Sequence, residues 1–383
     1  MGRVTPPWAF GYKEPDKRPL FVCWEMTKAC NLSCRHCRAR AIKRSLPGEL
    51  SLVEGKKLID QLLDFGEPYP AILFTGGDPL MRNDLMEHIA HARDIGIYTA
   101  VAASVTDLLT TETMRQFRDL DVGVMSISID GADPETHDAL RGVPGTWRRS
   151  MEVLEEANGG GLRIQINSTV MRSNLTQLAD LFHMALKNHA AAWEVFFLVR
   201  TGRGAALENP NPEEVEDVMK FLVLAAGYGI PIRTSEGPHY RRVLRESMNG
   251  KLSGGPLYNM LSERLRVLAG DPTKEVPKHL NATGDGKGVM FVSYNGEINP
   301  SGFLQANLGK FPEESIVEVY RNNSTFLALR NQKKLVGKCG RCEYRAFCGG
   351  SRSRAFVETG SFMESDPLCN YEPAGMALAR PIH

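Results

Sequence analysis

Six short apolar runs of strand character, each followed by a stretch of helical periodicity, fill the first part of the chain. They are 20–26 (LFVCWEM), 71–76 (AILFTG), 97–103 (IYTAVAA), 122–130 (VGVMSISID), 163–170 (RIQINSTV) and 193–200 (WEVFFLVR), with a shorter one expected at 230–234. Between the first two, Ser51-x-x-Glu54 is a capping box, after which Leu58, Ile59, Leu62 and Leu63 share one face of a helix over 51–65. Segments 83–94, 111–120, 146–158 and 175–188 behave alike, and Asn209-Pro210-Asn211-Pro212 introduces a further helix at 213–226. Near-continuous apolar strands alternating with helices imply a parallel sheet covered by helices. Six or more such units predict an α/β fold, a partial (β/α)6 TIM-like barrel whose site lies at the C-terminal ends of the strands.

The pattern changes after residue 235. Residues 236–287 read as a linker with helices, joining a barrel core at 15–235 to a small α+β domain at 288–383. In that last segment, runs 289–294 and 297–299 flank Asn295-Gly296, the dipeptide that suits a type I′ hairpin turn, and a helical stretch is expected at 315–330. Lys and Arg total 46 against 45 Asp and Glu, so no global charge recommends the chain to nucleic acid or an anionic membrane. No run approaches the roughly 18 apolar residues of a membrane span. The opening MGRVTPPWAF lacks the apolar core of a signal peptide, and a cytoplasmic location is expected.

Eight cysteines fall at 23, 30, 34, 37, 339, 342, 348 and 369, in two groups far apart in sequence. Tight groups in a cytosolic chain favour metal thiolates over disulfides. Cys23, inside an apolar run, is expected to be a buried small hydrophobe. Cys30-Asn-Leu-Ser-Cys34-Arg-His-Cys37 follows the first strand directly. Three thiolates can hold three irons of a 4Fe–4S cubane and leave one iron open, whereas His36 as a fourth ligand would close a zinc knot. The position favours the cubane, because a loop at the end of strand one is a poor place for a remote stabilising knot. Thr75-Gly76-Gly77-Asp78-Pro79 ends the second strand, where two glycines bare the backbone to a ligand's polar group. The second group, Cys339-x2-Cys342-x5-Cys348 with Cys369, supplies four thiolates, enough for a cubane or a zinc ion.

These motifs together resemble the radical S-adenosylmethionine (SAM) enzymes, whose signature is CxxxCxxC after the first strand and Gly-Gly-Glu after the second. The resemblance spans about residues 15–235 and implies a 4Fe–4S cluster on Cys30, Cys34 and Cys37 that chelates SAM, whose reductive cleavage yields a hydrogen-abstracting 5′-deoxyadenosyl radical. It further implies cofactor contacts from His36, Gly76, Gly77, Asp78, Ser104 and Ser128, with Asp78 standing where relatives carry Glu. Ser128 is preferred over Ser126, which is assigned to the helix-facing side. The second cysteine group resembles the SPASM/Twitch extension, which implies a second 4Fe–4S cluster; Ser301 and Arg352 occupy positions where the full seven-cysteine form has cysteines.

Trp24-Glu25-Met26-Thr27, Cys37-Arg38-Ala39 and Arg141-Gly142-Val143 look like the branch that finishes heme, which includes the alternative-pathway heme synthase and the heme d1 maturation proteins. That implies a tetrapyrrole substrate decarboxylated at its propionates. The alternatives are a peptide-modifying maturase and, in another class, a non-enzymatic iron–sulfur or zinc scaffold. A low-potential electron donor such as ferredoxin or flavodoxin is implied as partner. Arg203, Arg241, Arg242, Arg352 and Arg354 are candidate propionate partners, and His239 a candidate ligand of heme iron.

Overall fold

The computed structural model describes residues 4–11, 14–250, 252–277 and 283–374. Seven parallel strands cross one curled sheet in chain order: β1 (Phe21–Glu25), β2 (Ala71–Thr75), β3 (Thr99–Ala102), β4 (Val124–Ser128), β5 (Ile164–Val170), β6 (Ala192–Phe197) and β7 (Ile232–Ser235). The sheet is a half-barrel covered on its convex side by helices. The hairpin expected at 289–299 forms and extends this same sheet, but its turn is not type I′: Gly296 takes φ 86° while Asn295 does not take a positive φ, and the Gly296 N–H donates to the Ser293 carbonyl at 3.0 Å. β8 (Val289–Val292) pairs parallel with β1, Phe21 opposite Val289, and β9 (Ile298–Asn299) pairs antiparallel with β8.

The two faces of the sheet differ, contrary to the expectation of strands apolar throughout. Val22 and Trp24 of β1, Ile164 and Ile166 of β5, and Trp193 and Val195 of β6 are buried under helices. Their neighbours Cys23, Gln165, Asn167 and Glu194 face the concave side. The concave side lines a ligand-sized space instead of a packed barrel interior, so it tolerates polar groups. Cys23 accordingly lies on this wall and not in the packed core, with burial pushing its thiol up to about 12.

The covering helices are α1 (Leu52–Asp60), α2 (Leu85–Asp94), α3 (Thr111–Asp119), α4 (Pro134–Arg141), α5 (Thr146–Gly160), α6 (Leu178–Lys187) and α7 (Pro212–Ala226). The capping box of α1 is present as the spacing predicts. α4 is set by local chemistry: Asp133 caps it by accepting the Thr136 N–H at 2.7 Å, Pro134 suits its first turn, and Gly142 closes it at φ 68°. Within 236–287, α8 (His239–Ser247) packs on α7, and α9 (Pro256–Ala269) packs on α6 and α7. Tyr240, Val243, Leu244, Leu261 and Leu265 enter the main hydrophobic core there. Beyond the hairpin the helical stretch is divided into α10 (Ile316–Asn322) and α11 (Ser324–Arg330), because Asn323 adopts an extended backbone and caps the second helix. Short helices α12 (Gly337–Arg341) and α13 (Arg352–Thr359) complete the fold. Among the described residues, no helix is long and apolar enough to cross a membrane.

Candidate active site

A cavity of about 800 Å³ fills the concave side of the half-barrel. Cys30, Cys34 and Cys37 line it from the loop after β1, joined by His36. Gly76 and Gly77 after β2, Ser104 after β3 and Ser128 at the end of β4 lie on the same wall. The three sulfurs are reduced, and each has a nearby hydrogen-bond donor. The Leu32 N–H donates to Cys30 Sγ at 3.3 Å, the Ala41 N–H to Cys37 Sγ at 3.4 Å, and Arg141 Nη1 to Cys34 Sγ at 3.7 Å. Donors aimed at sulfur suit thiolates that carry iron, whose potential such bonds tune.

The glycines are demanded by the protein before any ligand arrives. A Cβ on Gly77 would stand 2.4 Å from the Ala29 carbonyl oxygen, and one on Gly76 2.6 Å from that of Thr27. This close approach lets the Gly77 and Asp78 N–H groups donate to the Thr27 and Ala29 carbonyls, both at 2.7 Å, tying the β2 end to the cysteine loop. Ser104 Oγ donates to the Gly77 carbonyl at 3.2 Å and lies 3.6 Å from Cys30 Sγ.

Asp78 alone of the expected cofactor residues is away from the cavity wall. Its fully buried carboxylate accepts the Leu80 and Ser104 N–H groups at 3.2 and 3.3 Å and the Thr106 hydroxyl at 3.1 Å. Burial pushes it up to about 6 despite these donors. The shorter side chain thus ties the β2 and β3 loops together, where a direct ligand contact was expected.

Behind the cysteine loop lies a buried charge cluster that sequence reading only glimpsed. Asp130 Oδ2 pairs with Arg141 Nη2 at 2.5 Å and stands 3.5 Å from His36 Nε2, while Oδ1 accepts the Thr169 N–H at 2.7 Å. Burial raises the Asp130 carboxyl, and the Arg141 charge with the Thr169 N–H outweighs it, leaving the group below its usual range. Burial lowers His36 to about 4, so the imidazole is neutral. The last carbonyls of α4 receive the cysteine loop directly, Leu140 from the Arg35 N–H at 2.8 Å and Arg141 from the Ser33 N–H at 3.1 Å. The Asp130-Gly131 strand end followed by Arg141-Gly142 was the available signal.

The remaining four cysteines, Cys339, Cys342, Cys348 and Cys369, surround one small pocket of the C-terminal segment. Cys348 belongs also to the wall of the large cavity. Among the described residues, no three Cys, His, Asp or Glu side chains close on one point as a single metal ion requires.

Comparison with known proteins agrees with this geometry. Residues 24–185 match the Radical SAM superfamily model. An AdoMet-dependent heme synthase of Nitratidesulfovibrio vulgaris (strain Hildenborough) is 37% identical, over 94% of each chain. The chain belongs to the radical SAM superfamily. Another AdoMet-dependent heme synthase, from Methanosarcina barkeri, is 34% identical over 93% of this radical SAM enzyme and 97% of the relative. In fold, Streptococcus suis SuiB bound to precursor peptide SuiA superposes with a TM-score of 0.69 at 16% identity, covering 93% of this chain and 76% of that one. The family brings with it a 4Fe–4S cluster and SAM.

Several expectations for this radical SAM enzyme are corrected by its tertiary contacts. Ser126 shares the cavity wall with Ser128, as residues two apart on a strand must. Arg203, a candidate propionate partner, lines the cavity and also clasps the cysteine loop, donating to the Cys34 and Ala41 carbonyls, both at 2.8 Å. Arg242 pairs with Glu216 and Glu246, and Arg354 with Asp366 at 2.9 Å. Arg352 donates to the Phe362 and Glu364 carbonyls and reaches Cys339 Sγ at 3.7 Å. His239 faces the small cysteine pocket, 3.2 Å from Asp366, and stands off the large cavity.

Proposed function

We propose that this radical SAM enzyme decarboxylates the propionates of an iron porphyrin to vinyl groups, as an AdoMet-dependent heme synthase. The end-to-end identity of 37% over 94% of both chains with a protein of that name carries the proposal. In this reading Cys30, Cys34 and Cys37 hold the cluster, and Gly76, Gly77, Ser104, Ser128 and His36 border the SAM site. Once bound and reduced, cluster and SAM supply a 5′-deoxyadenosyl radical that removes a propionate β-hydrogen. Asp78 acts through the backbone it fixes, and Arg203 and the Asp130–Arg141 pair hold the cysteine loop in place.

The large cavity has the volume of a sizeable ligand site. Arg241 and Lys287 share its wall. Arg241 donates to the Phe347 carbonyl at 2.6 Å, whereas Lys287 has no ion-pair or hydrogen-bond partner for its ammonium among the described residues. Burial, then the Arg241 charge, lowers Lys287, and a substrate carboxylate would relieve both. Lys287 is therefore the propionate partner we favour.

A second 4Fe–4S cluster is proposed on Cys339, Cys342, Cys348 and Cys369. Four thiols face one pocket, and in a cubane each thiolate would bind a different iron. Cys348 also borders the large cavity, and a cluster held by these cysteines would supply an acceptor for the electron released with carbon dioxide. The electron for SAM cleavage comes from a low-potential carrier such as ferredoxin or flavodoxin.

The test is anaerobic incubation with SAM, reductant and iron coproporphyrin, followed by mass spectrometry. Loss of two formic-acid equivalents is expected. SAM cleavage with the porphyrin mass unchanged would refute the proposal and leave a peptide as substrate.

A further inference from the structure

We infer that the outer face of the cysteine loop is the docking surface for an acidic one-electron carrier protein. The inference rests on the reading of Cys30, Cys34 and Cys37 as cluster ligands, and on nothing about the porphyrin. Residues 26–48 hold six basic residues and no acidic one, in a chain whose net charge is +1. Two of the six turn inward. Arg38 pairs with Glu25 at 3.3 Å and stacks 4.6 Å from the Phe291 ring, and Lys28 lies 5.2 Å from the Tyr294 ring. The other four, Arg35, Arg40, Lys43 and Arg44, are exposed. None of these four has an ion-pair partner among the described residues, unlike Arg118, paired with Asp119 at 2.9 Å, and Arg264, paired with Asp180 at 2.6 Å.

The backbone holds these residues on one loop with the cysteines. The Ile42 N–H donates to the Lys28 carbonyl at 3.0 Å and the Cys30 N–H to the Ile42 carbonyl at 2.7 Å, so the segment after Cys37 folds back beside the one before Cys34. Lys43 Nζ donates to the Asn31 carbonyl at 2.5 Å. One side of the loop therefore presents cysteines to the cavity, and the other presents uncompensated positive charge to solvent. A like-charge cluster of this kind repels itself and gains only when an anionic surface covers it. The centre on its inner side needs one electron from outside, which fits an acidic electron carrier better than a polyanion with no redox group. The step is a pure electron transfer: the reduced carrier loses one electron, the cluster gains one, and no bond or proton moves.

The experiment follows oxidation of a reduced, acidic plant-type [2Fe–2S] ferredoxin by the cluster-loaded enzyme, in a stopped-flow spectrometer across ionic strength. Arg40→Glu/Lys43→Glu/Arg44→Glu should slow the second-order rate by about 10-fold or more at low salt and flatten its salt dependence. Reduction by dithionite at high ionic strength, where its anionic charge is screened and no docking is needed, should proceed at the wild-type rate. If the triple variant does not fold, Lys43→Gln/Arg44→Gln should give an intermediate loss. Titration calorimetry with the oxidised ferredoxin should show the same weakening without any turnover. A second exposed basic group, Lys333, Lys334, Arg341 and Arg345 near the C-terminal cysteines, serves as comparator. The inference is overturned if charge reversal there slows ferredoxin oxidation while the loop variant stays within about 2-fold of wild type. It is equally overturned if the loop variant loses binding to RNA or anionic vesicles with the ferredoxin rate unchanged.

Discussion

Replacing Asp130 with Asn tests whether charge, and not shape, secures the cysteine loop. The Asn keeps an oxygen for the Thr169 N–H at 2.7 Å, so the substitution removes little beyond the negative charge facing Arg141 at 2.5 Å. Breaking a buried ion pair on one side typically costs about 3–5 kcal/mol, because the surviving charge is left uncompensated. Arg141 borders the large cavity and its side chain is 9% exposed, so water reaches it and the expected cost is about 3 kcal/mol, at the low end of that range. Arg141→Met strands the carboxylate instead, and the double variant strands neither. The assay is anaerobic urea unfolding of the cluster-loaded enzyme, followed by tryptophan fluorescence for the wild type and the three variants. The double variant should cost at least about 2 kcal/mol less than the sum of the singles. Additivity within about 0.5 kcal/mol would refute the reasoning.

Three further outcomes are expected. Asp78 has a folded value near 6 against about 3.9 in the unfolded chain, so between those values the folded state holds the extra proton. Stability should therefore fall as pH rises from about 4 to 6 and then level off, by on the order of 2–3 kcal/mol more than in Asp78→Asn; parallel urea-midpoint profiles for the two proteins would contradict this. Changing Cys30, Cys34 and Cys37 to Ala should abolish 5′-deoxyadenosine formation and lower iron from about eight to about four per chain, measured by iron analysis with Mössbauer spectroscopy. Lys287→Met should raise KM for iron coproporphyrin by about 10-fold or more, the worth of one charge-assisted hydrogen bond, with SAM cleavage in the absence of porphyrin unchanged.

What the sequence by itself determined was local. The strand runs, the Ser51–Glu54 capping box and the Asn295-Gly296 hairpin depend on side-chain period and turn chemistry within a few residues, and each forms where the spacing placed it. The grouping of the cysteines was legible for the same reason, since ligands on one loop stay neighbours in any fold. The Asp133-Pro134 start of α4 is equally local. Tertiary structure alone decided where the hairpin pairs and what each arginine does. β8 sits against β1 because the open edge of the half-barrel left unpaired backbone groups there, a need invisible in either segment. Arg203 lies far along the chain from the Cys34 and Ala41 carbonyls it binds, and Arg141 far from Cys34. A guanidinium has the same composition whether it meets solvent, a substrate carboxylate or a carbonyl of its own chain. Only the closed fold, by burying those carbonyls and sulfurs without water, chose among the three.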